Sequence, residues 1–229
     1  MTKLKEDFVF GAMASIFKRH IEASVPGYTS QLIPDCVRQS LRFVQPETKV
    51  YDVGCSTGHL LARVRRANNK ARPGVRYIGI DCEPSFGVHW SKHRGGNISF
   101  EVCDARAQDY IGSSLIFSLF TVQFMRPMDK IGLLERIYAG LVAGGALIIA
   151  EKTLAETARL QDALAFPYYD YKREKGFTPE EILDKERRLR GHMTLWDEAE
   201  LRSALKDVGF REMTAFWRSA QFVGYIALR

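Results

Sequence analysis

Three acids and two glycines carry the chemistry that can be read from this sequence. The segment Asp52-Val53-Gly54-Cys55-Ser56-Thr57-Gly58 follows a β-rich run and opens an amphipathic helix. A glycine-rich turn in that setting lets a ligand approach the backbone closely. A dinucleotide fingerprint would read G-x-G-x-x-G here; instead the spacing is G-x-x-x-G, with Asp52 two residues before the first glycine. A carboxylate beside a pyrophosphate would repel it, so Asp52 suits a cationic ligand or an ammonium group. Asp81, with Cys82 after it, closes the next β-rich run, where an acid can take both hydroxyls of a ribose. Asp104, followed by Ala105, closes the third run and could meet the amino group of an adenine. Each feature alone is a common accident; the three in order, at the ends of successive strands, form a pattern.

The elements that must position these residues follow from periodicity. Residues 49–54, 75–81 and 98–103 are strands, and 58–66 is a basic amphipathic helix. The run 114–120 is apolar without alternation, as in a strand buried on both faces. Helix 128–142 carries Ile131, Leu134, Ile137, Tyr138 and Leu141 on one face, with its end placed at Gly144-Gly145, and 146–151 is a fifth strand. Helix 197–207 and two tightly joined strands near 212–218 and 221–228 close the chain. Strand and helix in alternation imply an α/β fold with a doubly wound, mostly parallel sheet; the final pair adds one antiparallel strand. With no internal repeat or low-complexity linker, one domain is expected over residues 1–229. Residues 6–42 look like cap helices, so the cap is drawn over 1–45, and 154–195 is a mostly helical insert rich in charge and aromatics.

The chain has 229 residues, 46% hydrophobic and 26% charged, the proportions of a soluble globular protein rather than a disordered or collagen-like one. No stretch approaches the roughly 20 apolar residues of a membrane span, and the start lacks a signal-peptide plan. Cys36, Cys55, Cys82 and Cys103 show no CxxC spacing, so neither a metal site nor a disulfide framework is indicated and a reducing cytoplasm is the expected setting. The net charge of +6 favours anionic partners such as nucleic acid or phosphorylated and carboxylate metabolites. The basic residues are nevertheless spread along the chain. The densest run, Lys185-Glu186-Arg187-Arg188-Leu189-Arg190, serves equally well as the wet face of a helix.

A glycine turn followed by acids after strands two and three resembles the class I S-adenosylmethionine (SAM) methyltransferases, which have a Rossmann-like fold with a seven-stranded sheet. A closer resemblance runs from about residue 20 to the C-terminus. Ser24-Val25-Pro26-Gly27-Tyr28, Phe43-Val44-Gln45-Pro46, Val50-Tyr51-Asp52-Val53-Gly54-Cys55-Ser56 and Phe120-Thr121-Val122-Gln123-Phe124 are similar to the carboxy-SAM synthases. So are Gly144-Gly145-Ala146-Leu147, Glu151-Lys152, Tyr171-Lys172-Arg173, Gly176-Phe177 and Val208-Gly209-Phe210. That family converts SAM into carboxy-SAM with carbon dioxide taken from prephenate, for a partner enzyme that modifies the wobble uridine of tRNA. Carried over, the resemblance implies that Tyr28 contacts SAM from the cap, and that Gly54, Cys55 and Ser56 line its methionine part. Asp81 would hold the ribose, while Asp104 and Ala105 would frame the adenine. Asp52, Gly58, Cys82 and Leu119 complete the candidate cofactor-binding set. Read without the family, Tyr28 is either an aromatic at the site's mouth or a packing residue of the cap.

Two positions depart from the family. Leu119 stands where it has an asparagine, and Glu186 where it sets an arginine against the carboxylate of carboxy-SAM. A carboxylate there would repel the group it should hold. A shift of one residue would bring Arg187 into the role, at the cost of turning the side chain by about 100° around the helix. Candidate bases for an acceptor are His59, Tyr168, Tyr169 and Tyr171, with His59, Tyr169 and Arg187 forming the candidate catalytic set. His59 serves equally as a helix-surface residue. The cluster Pro167–Arg173 either stacks on an aromatic or nucleobase acceptor or packs the insert on the sheet. The first functional reading is a SAM-dependent methyltransferase acting on a small-molecule or nucleobase acceptor and releasing S-adenosylhomocysteine. The second is a carboxy-SAM synthase. The third is a SAM- or nucleic-acid-binding module without catalysis. The resemblance also implies a homodimer through 154–195.

Overall fold

The computed structural model describes residues 17–229, and the β-branched and aromatic runs become seven strands of one sheet. These are β1 (Lys49–Val53), β2 (Arg76–Asp81), β3 (Ile98–Val102), β4 (Ser113–Leu119), β5 (Leu141–Lys152), β6 (Glu212–Ser219) and β7 (Phe222–Leu228). Their order is β3-β2-β1-β4-β5-β7-β6, and only β7 runs against the others. The doubly wound, mostly parallel α/β sheet expected from the sequence is the observed one. Its direction of winding reverses between β1 and β4, the place where open α/β sheets bind ligands beyond their strand ends.

Alternation along each strand divides the core into two layers. Val50, Tyr77, Leu115, Phe117, Ala146 and Ile148 face one side, where Leu32, Ile33, Leu61, Val64 and Trp90 cover them. Those residues belong to the segment from a single π-helical turn (Tyr28–Leu32) through α2 (Ile33–Phe43), and to α3 (His59–Asn68) and the short α4 (Gly87–Trp90). Tyr51, Val53, Ile80, Ile116, Leu147 and Ile149 face the other side, against Leu133, Leu134, Ile137, Leu201 and Leu205. These come from α5 (Pro127–Gly140) and α8 (Glu198–Asp207). β4 is buried along almost its whole length, as its lack of alternation predicts.

Most boundaries fall within two residues of expectation, and the junction of α5 with β5 differs most. Helix α5 stops at Gly140, and β5 begins directly at Leu141 rather than at 146. A Cβ at Gly140 would lie 2.5 Å from the backbone of Tyr110, so close packing fixes the helix end there. Gly144, at φ +71°, instead sits in the irregularity that separates the pairs Ser113↔Leu141 and Leu115↔Ala146.

The cap contributes α1 (Phe17–Ser24) before the π turn, while the part of the expected cap before residue 17 lies outside the described residues. Between β5 and α8 the insert folds as α6 (Ala158–Glu174) and α7 (Pro179–Leu189). Thr178 and Glu181 close a reciprocal capping box at the start of α7, with Pro179 in its first turn. Tyr168 and Tyr171 on α6 donate hydrogen bonds to the carbonyls of Ser24 (2.7 Å) and Glu22 (2.9 Å), tying insert to cap. No helix among the described residues is long and apolar enough to cross a membrane.

Candidate active site

The carboxyl ends of β1, β2 and β4, the last residue of β5, the cap and the insert enclose one cavity of about 480 Å³, in the range of small-molecule and cofactor sites. At the end of β1 the chain turns through Gly54, at φ +73°, and its N–H bonds the carbonyl of Ile80 at 2.9 Å. A Cβ there would fall 2.3 Å from Thr121 Oγ1, so both conformation and space require glycine. Gly58, at φ +74°, opens α3 and packs against Phe100, where a Cβ would be 2.5 Å from the ring. Gly58 therefore shapes the turn without lining the cavity.

The acids differ in state. Asp52 is buried, and burial first, then the neighbouring Asp81, raises its pKa to about 7. Asp81 is also buried, with both oxygens engaged by backbone donors: Ser56 N–H at 2.8 Å and Glu83 N–H at 2.9 Å. Burial still raises its pKa above the usual carboxylate value despite those bonds. Asp104 is different. The Arg106 guanidinium folds back onto its carboxylate, with Nε 3.0 Å from each oxygen, and holds its pKa below the usual value. The residue still borders the cavity, but as one half of an exposed ion pair.

The corner after β4 forms the next wall. Phe120 adopts φ +58°, a conformation that costs a non-glycine residue of order 1 kcal/mol or more. Its surroundings fix it. Thr121 Oγ1 bonds the carbonyl of Val53 at 2.9 Å, and the buried carboxyl group of Glu151, its pKa raised by burial to about 8, accepts the N–H groups of Val122 (3.1 Å) and Gln123 (2.8 Å). Tyr28 follows Gly27, at φ +79°, and its ring stands 6.2 Å from that of Phe120. Thr29 Oγ1 beside it is buried without a hydrogen-bond partner, and Thr29 lines the cavity.

The structure thus brings together Tyr28, Asp52, Gly54, Cys55, Ser56, His59, Asp81, Cys82, Asp104, Ala105 and Leu119 around one cavity. Besides Gly58, the candidates Tyr169, Tyr171 and Arg187 do not reach its lining. Arg187 points to solvent, paired with Asp184 at 3.3 Å. Helix geometry explains this last case. On α7, Ile182, Lys185, Glu186 and Leu189 share the inward face, and the next position turns by about 100° away from it.

Sequence reasoning missed the far end of the cavity. Lys152 ends β5, Lys172 lies on α6 and Lys185 on α7, and all three converge there with Glu186. Glu186 Oε1 is 3.6 Å from Lys172 Nζ and 3.9 Å from Lys152 Nζ. Lys185 Nζ contacts His20 Nε2 at 2.6 Å and Ser24 Oγ at 2.8 Å. Burial first, then Lys172, lowers the pKa of Lys185 to about 7; burial also takes Lys172 to about 8. Burial and Lys185 lower His20 to about 4, so it stays neutral and accepts from the lysine. Glu186 is therefore not a lone carboxylate facing the site, as position alone suggested, but an acid outnumbered by cations. The motifs Glu151-Lys152 and Tyr171-Lys172-Arg173 held two of these lysines, yet nothing in their spacing shows that they meet.

The acids, the glycine-built turn and the orphaned hydroxyl of Thr29 fit a ligand carrying an ammonium, a ribose and an adenine. Curated relatives agree in length and sequence. Carboxy-S-adenosyl-L-methionine synthase of Klebsiella pneumoniae is 34% identical over 223 residues, covering 95% of this chain and 89% of the relative. The enzyme of the same name from Salmonella arizonae matches with the same identity and coverage. A scan against models of known protein families finds no match. Among solved structures, a methyltransferase in complex with the Haloferax volcanii Trm112 methyltransferase activator superposes with a TM-score of 0.66 at 18% identity, covering 98% of this chain and 99% of that one. Human N-acetylserotonin methyltransferase in complex with SAM gives 0.58 at 16% identity, covering 99% of this chain and 60% of that one. At such identities the superpositions establish the fold.

Proposed function

The chain belongs to the carboxy-S-adenosyl-L-methionine synthase family, and from that premise we propose that it is a SAM-dependent transferase that methylates a small-molecule or nucleobase acceptor. One observation carries the reading: residues from the ends of three parallel strands and from the cap line a single cavity, in the order that the sequence pattern requires. SAM is the cofactor, and when bound it supplies a methyl group made electrophilic by its sulfonium.

The chain's own part is binding and positioning. The Gly54–Ser56 turn admits the methionine portion close to the backbone, and Asp52 meets its ammonium. Asp81, already oriented by two backbone donors, takes the ribose hydroxyls. Ala105 and Cys82 flank the adenine, with Asp104 at its edge. Tyr28 and Phe120 close the cavity towards the cap and keep water from the methyl group. Leu119 forms wall beside them. His59 borders the cavity and is the candidate base on this side; Tyr169 and Arg187 sit outside its lining and take no direct part.

A second reading, formation of carboxy-SAM from SAM and prephenate, is favoured by the lysines around Glu186, which restore positive charge where the expected arginine is missing. The unpaired state of all four cysteines accords with action in the cytoplasm. The exposed apolar side chains Leu160, Phe166 and Leu183 on the insert accord with a homodimer through that region.

The test is mass spectrometry of the small molecule released on denaturing the purified protein, before and after incubation with SAM and prephenate. SAM or S-adenosylhomocysteine with prephenate untouched is the expected result. A product heavier than SAM by one carboxyl group would establish the second reading, and absence of any SAM-derived ligand together with no SAM binding would defeat both.

A further inference from the structure

The lysine end of the cavity holds more positive charge than its partners balance. Buried charges are retained when they are paired, and an unpaired one is destabilising. Lys172, with a side chain only 2% exposed, has the single carboxylate of Glu186 at 3.6 Å and the face of Tyr168 at 4.4 Å. Lys152 shares the same carboxylate oxygen at 3.9 Å. Among the described residues, Lys185 has neutral acceptors at short range, His20 and Ser24, with the Phe177 ring at 6.0 Å. The charged groups bearing on it are Lys172, Glu186 and Lys152. Glu22, on the same helix as His20, also lines the cavity and bears on Tyr28 and Tyr171. Among the described residues, Glu186 is thus the carboxylate within 4 Å of these lysines, and all three lysines line the cavity.

We propose that this end of the cavity is the acceptor subsite, that it seats one singly charged carboxylate among Lys152, Lys172 and Lys185, and that Glu186 is the residue that limits it to one. The inference rests on the SAM-dependent reading and narrows its acceptor to a monocarboxylate. A first carboxylate pairs with Lys185, which unlike Lys152 and Lys172 has no carboxylate within 4 Å among the described residues. A second, on the same molecule, would have to lie against Glu186, the like charge already occupying Lys152 and Lys172. Because burial first, and then Lys172 and Lys152, disfavour the ammonium form of Lys185, an arriving carboxylate draws a proton onto it.

The experiment is titration calorimetry on the full chain with benzoate and with isophthalate, which differ by one carboxylate on the same ring, alongside a SAM titration. Benzoate binds one to one, and isophthalate binds at least about tenfold more weakly, the worth of one charged contact. At pH 8 the benzoate heat differs between phosphate and Tris buffers, reporting proton uptake, and Lys185→Met removes that difference. Glu186→Gln, a change at a partly exposed position, brings isophthalate to the affinity of benzoate or above it. If that variant leaves the ratio unchanged, the role of Glu186 is overturned. If SAM binds while neither acid does, the subsite is wrong and the transferase reading stands. If SAM fails to bind as well, the reading beneath the proposal falls first.

Discussion

The two ends of the cavity are built by different means. At the strand ends, the site is made of backbone: a turn through Gly54, two N–H groups fixing Asp81, and a corner held by Glu151. Each feature lies within a few residues of a strand terminus, so register alone brings it into place. At the insert end, the site is made of long side chains from α1, β5, α6 and α7, whose charges meet only after the insert has packed on the cap. A backbone-built site fixes what the family shares; a side-chain site can change its charge by one substitution. Glu186 is such a change.

The largest effect should come from breaking the backbone end. Asp81→Ala removes the acceptor of two N–H bonds as well as the proposed ribose ligand. SAM affinity by calorimetry should fall at least about a hundredfold, equivalent to the loss of two charge-assisted bonds. Unfolding in urea should show a smaller cost, about 1–3 kcal/mol, for the donors left without a partner. Unchanged affinity would remove the cofactor assignment.

Next is a pH effect that separates the two ends. Asp52 has a pKa raised to about 7 by burial and by Asp81, so it is half protonated near neutrality. An ammonium needs the carboxylate form; SAM affinity should therefore fall about tenfold per pH unit below 7. Stability moves the opposite way. The folded chain holds this proton up to about pH 7, whereas an unfolded aspartate releases it near 3.8. The stabilising contribution is full at acid pH and is lost as pH rises through 7. Asp52→Asn should bind SAM poorly yet unfold at a higher urea concentration at pH 8, by at least about 1 kcal/mol. Carboxylate binding at the lysine end should show the reverse slope, weakening above pH 7 as Lys185 loses its proton.

The same contrast explains what was legible beforehand. The sheet, its winding and the acids at its edge were readable because a period of two and a terminal acid are local signals. The end of α5 was misplaced because Gly140 is fixed by contact with Tyr110, a distant residue, while the more conspicuous Gly144-Gly145 pair belongs to a strand irregularity. The lysines were unreadable as a cluster because Lys152, Lys172 and Lys185 are joined by tertiary packing, not by spacing. Asp104 was legible as a strand-end acid but not as a partner of Arg106, since a guanidinium two residues away has many places to go. Its substitution is accordingly a smaller test. Asp104→Ala should weaken SAM by only about threefold, because an exposed carboxylate already shared with a guanidinium has little left to give.

The smallest predicted effect bears most directly on how the insert is read. If the family's cation had moved by one residue, Arg187→Ala would abolish anion binding at the far end of the cavity. In this structure Arg187 is exposed, pairs with Asp184 one turn earlier on the same helix, and lies off the face shared by Ile182, Lys185, Glu186 and Leu189. An exposed pair of that kind is worth at most about 0.5 kcal/mol. Benzoate and SAM affinities of Arg187→Ala should therefore stay within about twofold of the unaltered chain, with unfolding shifted no further than that pair allows. A large loss would mean that α7 turns about its axis when ligand enters, replacing Glu186 with Arg187 and making the charge of the acceptor end a property of helix rotation. Retained affinity would fix Glu186, rather than Arg187, as the group on α7 that any acceptor must meet.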